Sequence, residues 1–339
     1  MNRSTIFPPT LATLAALVIL AYGAAHAAGE NQPKAWTDPD TARMQDPDFL
    51  IQGEYGSLDA GAAAGVQVVA LGDGTFDAYL LQGGLPGLGW IEGKTREHLK
   101  GTRKGEIVDF VGADPNIVAS IRDGKFLVTG EDGEQSILLR IERHSPTLGA
   151  KPPAGAQVLF DGSSAEHWEN GKVENGHLLA TGCTSKQRFG DYSLHLEFRT
   201  PYMPAARGQG RGNSGVYYGG RWETQILDSF GLDSRDNHCG GIYSISKPAL
   251  NMCLPPLTWQ TYDVDFTAAE FNAEGQRTAW PRITVRLNGV LVHENLELNK
   301  DFTTSAPITH PLDAPEGPIF LQNHNNPVVF RNIWIVPRK

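Results

Sequence analysis

The chain is poor in cysteine, in long apolar runs and in positive charge. It has three cysteines in 339 residues, too few for a disulfide-dense scaffold, and no C-x-x-C pair that would support a zinc site. Lys and Arg number 29 against 38 Asp and Glu, a net charge of −9, which argues against a non-specific nucleic-acid binder. The longest apolar stretch, Leu11 to Tyr22, falls short of the roughly 20 residues that span a bilayer. No tandem repeat, G-x-S-x-G elbow, H-E-x-x-H helix or EF-hand loop occurs. Gly and Pro are abundant, at 38 and 22 residues, but without a Gly-X-Y period, which excludes collagen and favours many short strands joined by turns.

The apolar stretch follows a single charge, Arg3, and ends at Ala25-His26-Ala27, an A-x-A cleavage pattern. Residues 1–27 therefore read as a cleaved Sec-type signal peptide. The product is expected in the periplasm or outside the cell, with no membrane attachment after cleavage. An oxidising compartment would permit a disulfide between Cys239 and Cys253, leaving Cys183 odd. A zinc site using His238 beside Cys239 is the sharper alternative.

Beyond the signal, residues 28–47 are polar and aperiodic and read as a flexible leader. Residues 48–143 then carry strand patterns: GVQVVAL (65–71), the turn Gly72-Asp73-Gly74 and TFDAYLL (75–81) make a hairpin, followed by EIVDFVG (106–112), NIVASIR (116–122), KFLVTG (125–130) and SILLRIER (136–143). This is a small N-terminal β domain. Three prolines in 144–157 mark a linker. From 158 to 339 strands resume. In DYSLHLEFR (191–199), Tyr192, Leu194, Leu196 and Phe198 alternate with Ser193, His195, Glu197 and Arg199, and RITVRLNGVLVHE (282–294) is a hairpin turning at Asn288-Gly289. A short helix is allowed near Thr267–Asn272. The fold class is all-β, with a C-terminal β-sandwich behind a smaller β domain.

Gly210 to Gly215 spells G-x-G-x-x-G, but the strand-like VYY follows where a dinucleotide site needs a helix, so no nucleotide cofactor is expected. In RWETQILDS (221–229), a strand puts Glu223 and Gln225 on one face, where they can grip hydroxyls, hold a cation or move a proton; a solvated outer face is the plain alternative. Asp228 and His238 belong to the crowded loop that follows. Phe320, Gln322 and His324 share another strand face, which places His324 as a general base, a metal ligand or a hydrogen-bonded structural residue.

Phe160-Asp161-Gly162, RGNSGVYYGGRWETQILDSFG, CGGIYSISKPALNMCLPPLTWQTYDVDF, TVRLNGVLVHENLEL and GPIFLQNHNNPVVFRNIWIVP together resemble the 3-keto-disaccharide hydrolase family, across roughly Leu159 to Pro337. The resemblance implies a concanavalin- or laminarinase-like jelly roll, with the N-terminal domain as an accessory. The family's E-x-Q-I-L-D-S strand falls on Glu223, Gln225 and Asp228, its Gly-Asn-Ser-Gly block on Gly212 to Gly215, and its Leu-Gln-Asp-His-Gly block on Leu321 to Asn325. Here Asn323 replaces the usual Asp and Asn325 the usual Gly.

The implied substrate is a small or oligomeric 3-keto-glycoside. An oxidised C3 acidifies the C2 hydrogen, so a base can start elimination of the glycosidic oxygen, with water adding back. The resemblance implies His324 and Glu223 as catalytic groups, with Gln225, Asn213, Gln322, Asp228 and His238 binding substrate. It also implies a donor or divalent cation, held by Glu223 and His324, for the enolate oxygen. A lectin-like carbohydrate-binding protein and an ordinary two-carboxylate glycosidase are the alternatives.

Overall fold

A computed structural model describes residues 33–59, 61–130 and 133–338. The signal-peptide reading and the first residues of the leader lie outside them. The rest of the leader is folded, contrary to expectation. Asp38 caps helix α1 (Pro39–Gln45) by accepting the Thr41 amide at 2.8 Å, and α2 (Asp48–Ile51) follows. Trp36 exchanges two backbone hydrogen bonds of 2.9 Å with Tyr202, so the segment is tied down by a long-range bridge that local polarity does not reveal.

Eight antiparallel strands close a barrel: β1 (Gly53–Tyr55), β2 (Ala64–Gly72), β3 (Thr75–Gln82), β4 (Arg96–Lys104), β5 (Ile107–Gly112), β6 (Val118–Arg122), β7 (Lys125–Thr129) and β8 (Gln135–Ile141), with β8 pairing back onto β1. Closure leaves no free edge. Val66, Val68, Ala70, Phe76, Phe110 and Phe126 fill the interior. Residues of β2 and β3 on the other face, Val69, Tyr79 and Leu81, join the core cluster of the C-terminal region. Burial on both faces explains the nearly continuous apolar run at 65–71.

Strands β9 (Gln157–Phe160), β10 (Trp168–Glu169), β11 (Val173–Glu174), β12 (His177–Leu179), β13 (Cys183–Ser185), β14 (Tyr192–Arg199), β15 (Ser214–Tyr218), β16 (Trp222–Ile226) and β17 (Gln260–Thr267) begin the second region. It continues with β18 (Glu270–Phe271), β19 (Arg277–Ala279), β20 (Arg282–Leu287), β21 (Val290–Glu297), β22 (Phe320–Leu321) and β23 (Val329–Pro337). One sheet has the order β10-β13-β22-β15-β16; the other runs β11-β12-β23-β14-β17-β20-β21, with β9 on β23. Their inner faces meet as a β-sandwich: Phe266 of β17 lies 6.0 Å, ring centre to ring centre, from Tyr218 of β15 and from Trp222 of β16. The helix expected at Thr267–Asn272 is instead the end of β17 and the short strand β18, which pairs with β19.

Loops cover part of each outer face of the sandwich. Over β14 and β17, residues of the 144–157 segment latch onto polar groups of the sheet: the Gly149 amide donates to the buried Glu197 at 2.6 Å and the Thr147 hydroxyl to the half-buried Asp263 at 2.6 Å. Over β15 and β16 lie the loops that build the cavity described next. Among the described residues no helix is long and apolar enough to cross a membrane.

Candidate active site

Side-chain alternation sets the site. On β15 and β16, Val216, Tyr218, Trp222 and Ile226 enter the core, so Gly215, Tyr217, Glu223 and Gln225 must occupy the opposite face. That face is not solvated: Glu223 and Gln225 are 2% and 1% exposed. Gln322, just past β22, docks beside them through its backbone amide, which donates to the Gly215 carbonyl at 2.9 Å. Loop residues close a cavity of about 240 Å³ lined by Asn213, Glu223, Gln225, Gln322 and His324, together with Gln209, Tyr243, Thr304 and Ser305. Five of the seven residues expected to act on substrate thus come together.

Asp228 and His238 do not line the cavity. Asp228 is buried but turned to Arg211, whose Nε donates to its Oδ2 at 2.7 Å; a buried guanidinium claims the carboxylate as its counter-ion. His238 sits half-buried in the next loop, with Nδ1 2.6 Å from the Asp233 carbonyl oxygen. The expected disulfide is also corrected. Cys183, Cys239 and Cys253 are free and buried. Their sulfurs are engaged separately, Cys239 with the Tyr262 hydroxyl at 3.4 Å and Cys253 with the Leu227 carbonyl at 3.4 Å. Among the described residues no group of three or more His, Cys, Asp or Glu side chains is arranged to hold a metal ion, and His238 and Cys239 are not brought together into a zinc site.

Glu223 has the chemistry of an acid. Burial pushes its carboxyl up to about 8, against a smaller opposing effect of the Tyr217 hydrogen bond. Hydrogen-bond accounting points the same way. The Tyr217 hydroxyl lies 2.8 Å from Glu223 Oε2, 2.9 Å from the Thr304 carbonyl and 3.0 Å from Gln322 Nε2. It has one proton, and a backbone carbonyl can only accept. All four groups are satisfied when Gln322 and a protonated Glu223 donate to the hydroxyl and Tyr217 donates to Thr304. An ionised Glu223 would take the Tyr217 proton away from the Thr304 carbonyl. Gly215 makes room for this carboxyl, since a Cβ there would collide with Glu223 Oε1.

Three buried amide oxygens of the same cavity, Asn213 Oδ1, Gln225 Oε1 and Gln322 Oε1, have no donor among the described residues. Each such group costs about 1–3 kcal/mol when left unpaired, so the cavity is built to receive donors or positive charge. Sugar hydroxyls fit this requirement. A hard divalent cation fits as well once Glu223 ionises, because neutral oxygens alone supply no compensating charge.

His324 stands at the exposed rim. Asn323, the departure from Asp, uses Oδ1 to accept the Asn325 amide at 2.9 Å, and Asn325 takes the left-handed φ of 58° that Gly would otherwise supply. The two departures therefore form a self-consistent turn that presents His324.

Sequence reasoning missed Gln209, Tyr243, Thr304 and Ser305, which arrive from loops without a motif. Tyr217 was readable, because hairpin register pairs it directly with Glu223.

The family model of the 3-keto-alpha-glucoside-1,2-lyase-like domain matches residues 155–336. Among solved structures, a candidate glycosyl hydrolase from Parabacteroides distasonis is 32% identical over 55% of this chain and 85% of its own, with a TM-score of 0.50. A second from the same organism is 16% identical over 55% of this chain and 95% of its own, with a TM-score of 0.40. No curated protein matches.

Proposed function

The chain belongs to the 3-keto-alpha-glucoside-1,2-lyase-like domain family, and from that premise we propose that its cavity cleaves 3-keto-glycosides by elimination and rehydration. The observation that carries the reading is the pairing of a rim imidazole, His324, with a buried carboxylic acid, Glu223, in one cavity. His324 takes the proton from C2, and the electron pair is held as the enolate of the C3 ketone. The C1–O bond then breaks, its pair going to the glycosidic oxygen, which takes the Glu223 proton as it leaves. Water adds hydroxyl at C1 and hydrogen at C2 of the resulting enone, so the net change is hydrolysis.

Asn213, Gln225 and Gln322 orient the ring through its hydroxyl hydrogens. A divalent cation bound by these oxygens and Glu223 would supply positive charge for an enolate oxygen. Among the described residues that line the cavity Glu223 is the single carboxylate, whereas ordinary glycosidases set two across the scissile bond. The unpartnered amide oxygens also favour a second reading, a carbohydrate-binding protein without turnover. The Ala25-His26-Ala27 pattern supports action outside the cytoplasm.

The test offers the mature protein a 3-keto-glucoside and its unoxidised parent, with and without chelator, and follows aglycone release. Cleavage of the keto compound alone is expected, with loss of about 10²–10⁴-fold in His324→Ala. Saturable binding without cleavage would move the assignment to the binding protein. Cleavage of the unoxidised parent would overturn the elimination chemistry.

A further inference from the structure

Gln209 lies in a short 3-10 turn (Gly208–Gly210), and its amide orientation is dictated by chemistry. Its Nε2 donates to the Asn237 carbonyl at 2.9 Å, and a carbonyl only accepts, so its Oε1 must face the other way. There it accepts Gln225 Nε2 at 3.0 Å and Asn213 Nδ2 at 3.0 Å. The Gln209 carbonyl takes the same Asn213 amide at 2.9 Å. Asn213 thereby has both amide hydrogens placed and Gln225 one of its two, which fixes the orientation of both amides; among the described residues their oxygens are two of the three that lack a donor in the cavity they line.

What holds Gln209 is the barrel. On one side of the turn, Arg207 Nη2 donates to the Leu71 carbonyl at 2.7 Å; on the other, Arg211 Nη1 donates to the Ala70 carbonyl at 3.1 Å. Both carbonyls belong to the end of β2. The loop carrying Asn237 is clamped from β4, where Arg96 donates to the Gly231 carbonyl and pairs with Asp233 at 3.1 Å while stacking on Tyr79.

We propose that Gln209 is a positioning residue, held in place by the N-terminal barrel, whose amide aims the Asn213 and Gln225 oxygens at the substrate. The barrel is then part of the active-site apparatus and not a separate binding module. The kinetic consequence rests on the proposed function; the positional claim does not.

The test uses the mature full chain and two replacements of similar length. Gln209→Met removes every side-chain polar contact and leaves only the backbone carbonyl's bond to Asn213, whereas Gln209→Glu keeps an oxygen to accept Asn213 and Gln225 and loses the Asn237 bond. Per folded molecule, kcat/KM on a 3-keto-glucoside should fall about 10–100-fold in Gln209→Met and recover most of that in Gln209→Glu, although both are destabilised. Activity that simply tracks melting temperature would mean a structural role and overturn the proposal. Independently of turnover, the side-chain NH₂ signals of Asn213 and Gln225 should exchange slowly with solvent in the wild type and faster in Gln209→Met. Arg207→Met should shift the same signals in the same direction. Unchanged signals in Gln209→Met overturn the positioning role, and unchanged signals in Arg207→Met overturn the barrel's part in it. Absence of turnover in the wild type would overturn the elimination reading alone, since the amide signals still decide Gln209.

Discussion

The barrel strand β5 and the sandwich strands β15 and β16 are built alike but treat the back of the strand differently. In the barrel strand β5, Val108 and Phe110 are buried while Asp109 and Val111 are exposed, Val111 by 68%. In the sandwich strands β15 and β16 every residue is buried, including Ser214, Tyr217, Glu223 and Gln225. Solvent satisfies a polar side chain on the barrel's outer face. On the covered face of the sandwich each polar group must find a partner or wait for a ligand. The candidate chemistry therefore sits in the sandwich, and the barrel contributes by holding loops.

The largest effect expected from this contrast is at Glu223. Glu223→Gln should lower turnover of the 3-keto-glucoside by about 10²–10⁴-fold with the fold intact, as judged by circular dichroism. The wild-type rate should fall as pH rises through about 8, where the carboxyl loses its proton, and that limb should vanish from the residual rate of the variant. Stability follows the same sign. A carboxyl raised from 4.5 to about 8 on folding contributes fully below the lower value and loses its contribution as pH climbs to the upper one. Glu223→Gln should flatten that slope in denaturation curves measured from pH 4 to about 9.

A smaller effect is expected at the seam between the two regions. Asp228→Ala leaves the buried Arg211 guanidinium without its carboxylate and should cost about 3–5 kcal/mol in urea denaturation. Because Arg211 also ties the Gln209 turn to β2, activity per folded molecule should fall as well. The smallest effect belongs to the barrel interior. A Cβ on Gly101 would meet the Phe110 ring at 2.5 Å, so Gly101→Ala should destabilise by about 1–3 kcal/mol while leaving activity per folded molecule unchanged. A loss of specific activity in Gly101→Ala would break the contrast between the regions.

Where one face of a strand is uniformly apolar, alternation was enough to read it. The hairpins β2–β3 and β20–β21 fall where turn chemistry put them, the second turning on Asn288 and Gly289 with φ of 53° and 79°. Strand β4, REHLKGTRK, was not legible. Only Leu99 and Gly101 within it are buried, so it carries too little apolar signal, and it exists because barrel closure demands a neighbour for β3 and β5. The leader looked featureless for a similar reason: its fixing contact, Trp36 with Tyr202, spans 166 positions.

The same division runs through the site. The sequence alone determined that Glu223 and Gln225 share a strand face, because side-chain direction follows from a period of two; the strand face expected to carry Gln322 and His324 ends at Leu321, and the loop beyond it brings both to the cavity. The sequence could not say which polar residues would be buried. Asp228 and His238 carry side chains as suitable as those of Glu223 and His324, but a buried arginine claims the first and a loop carbonyl lies against the second. Burial, partner choice and the resulting proton on Glu223 depend on loops that reach the sheet from distant parts of the chain, including Gln209 and Thr304. Tertiary structure decided these, since desolvation and hydrogen-bond competition act on atoms brought together in space, whatever their separation along the chain.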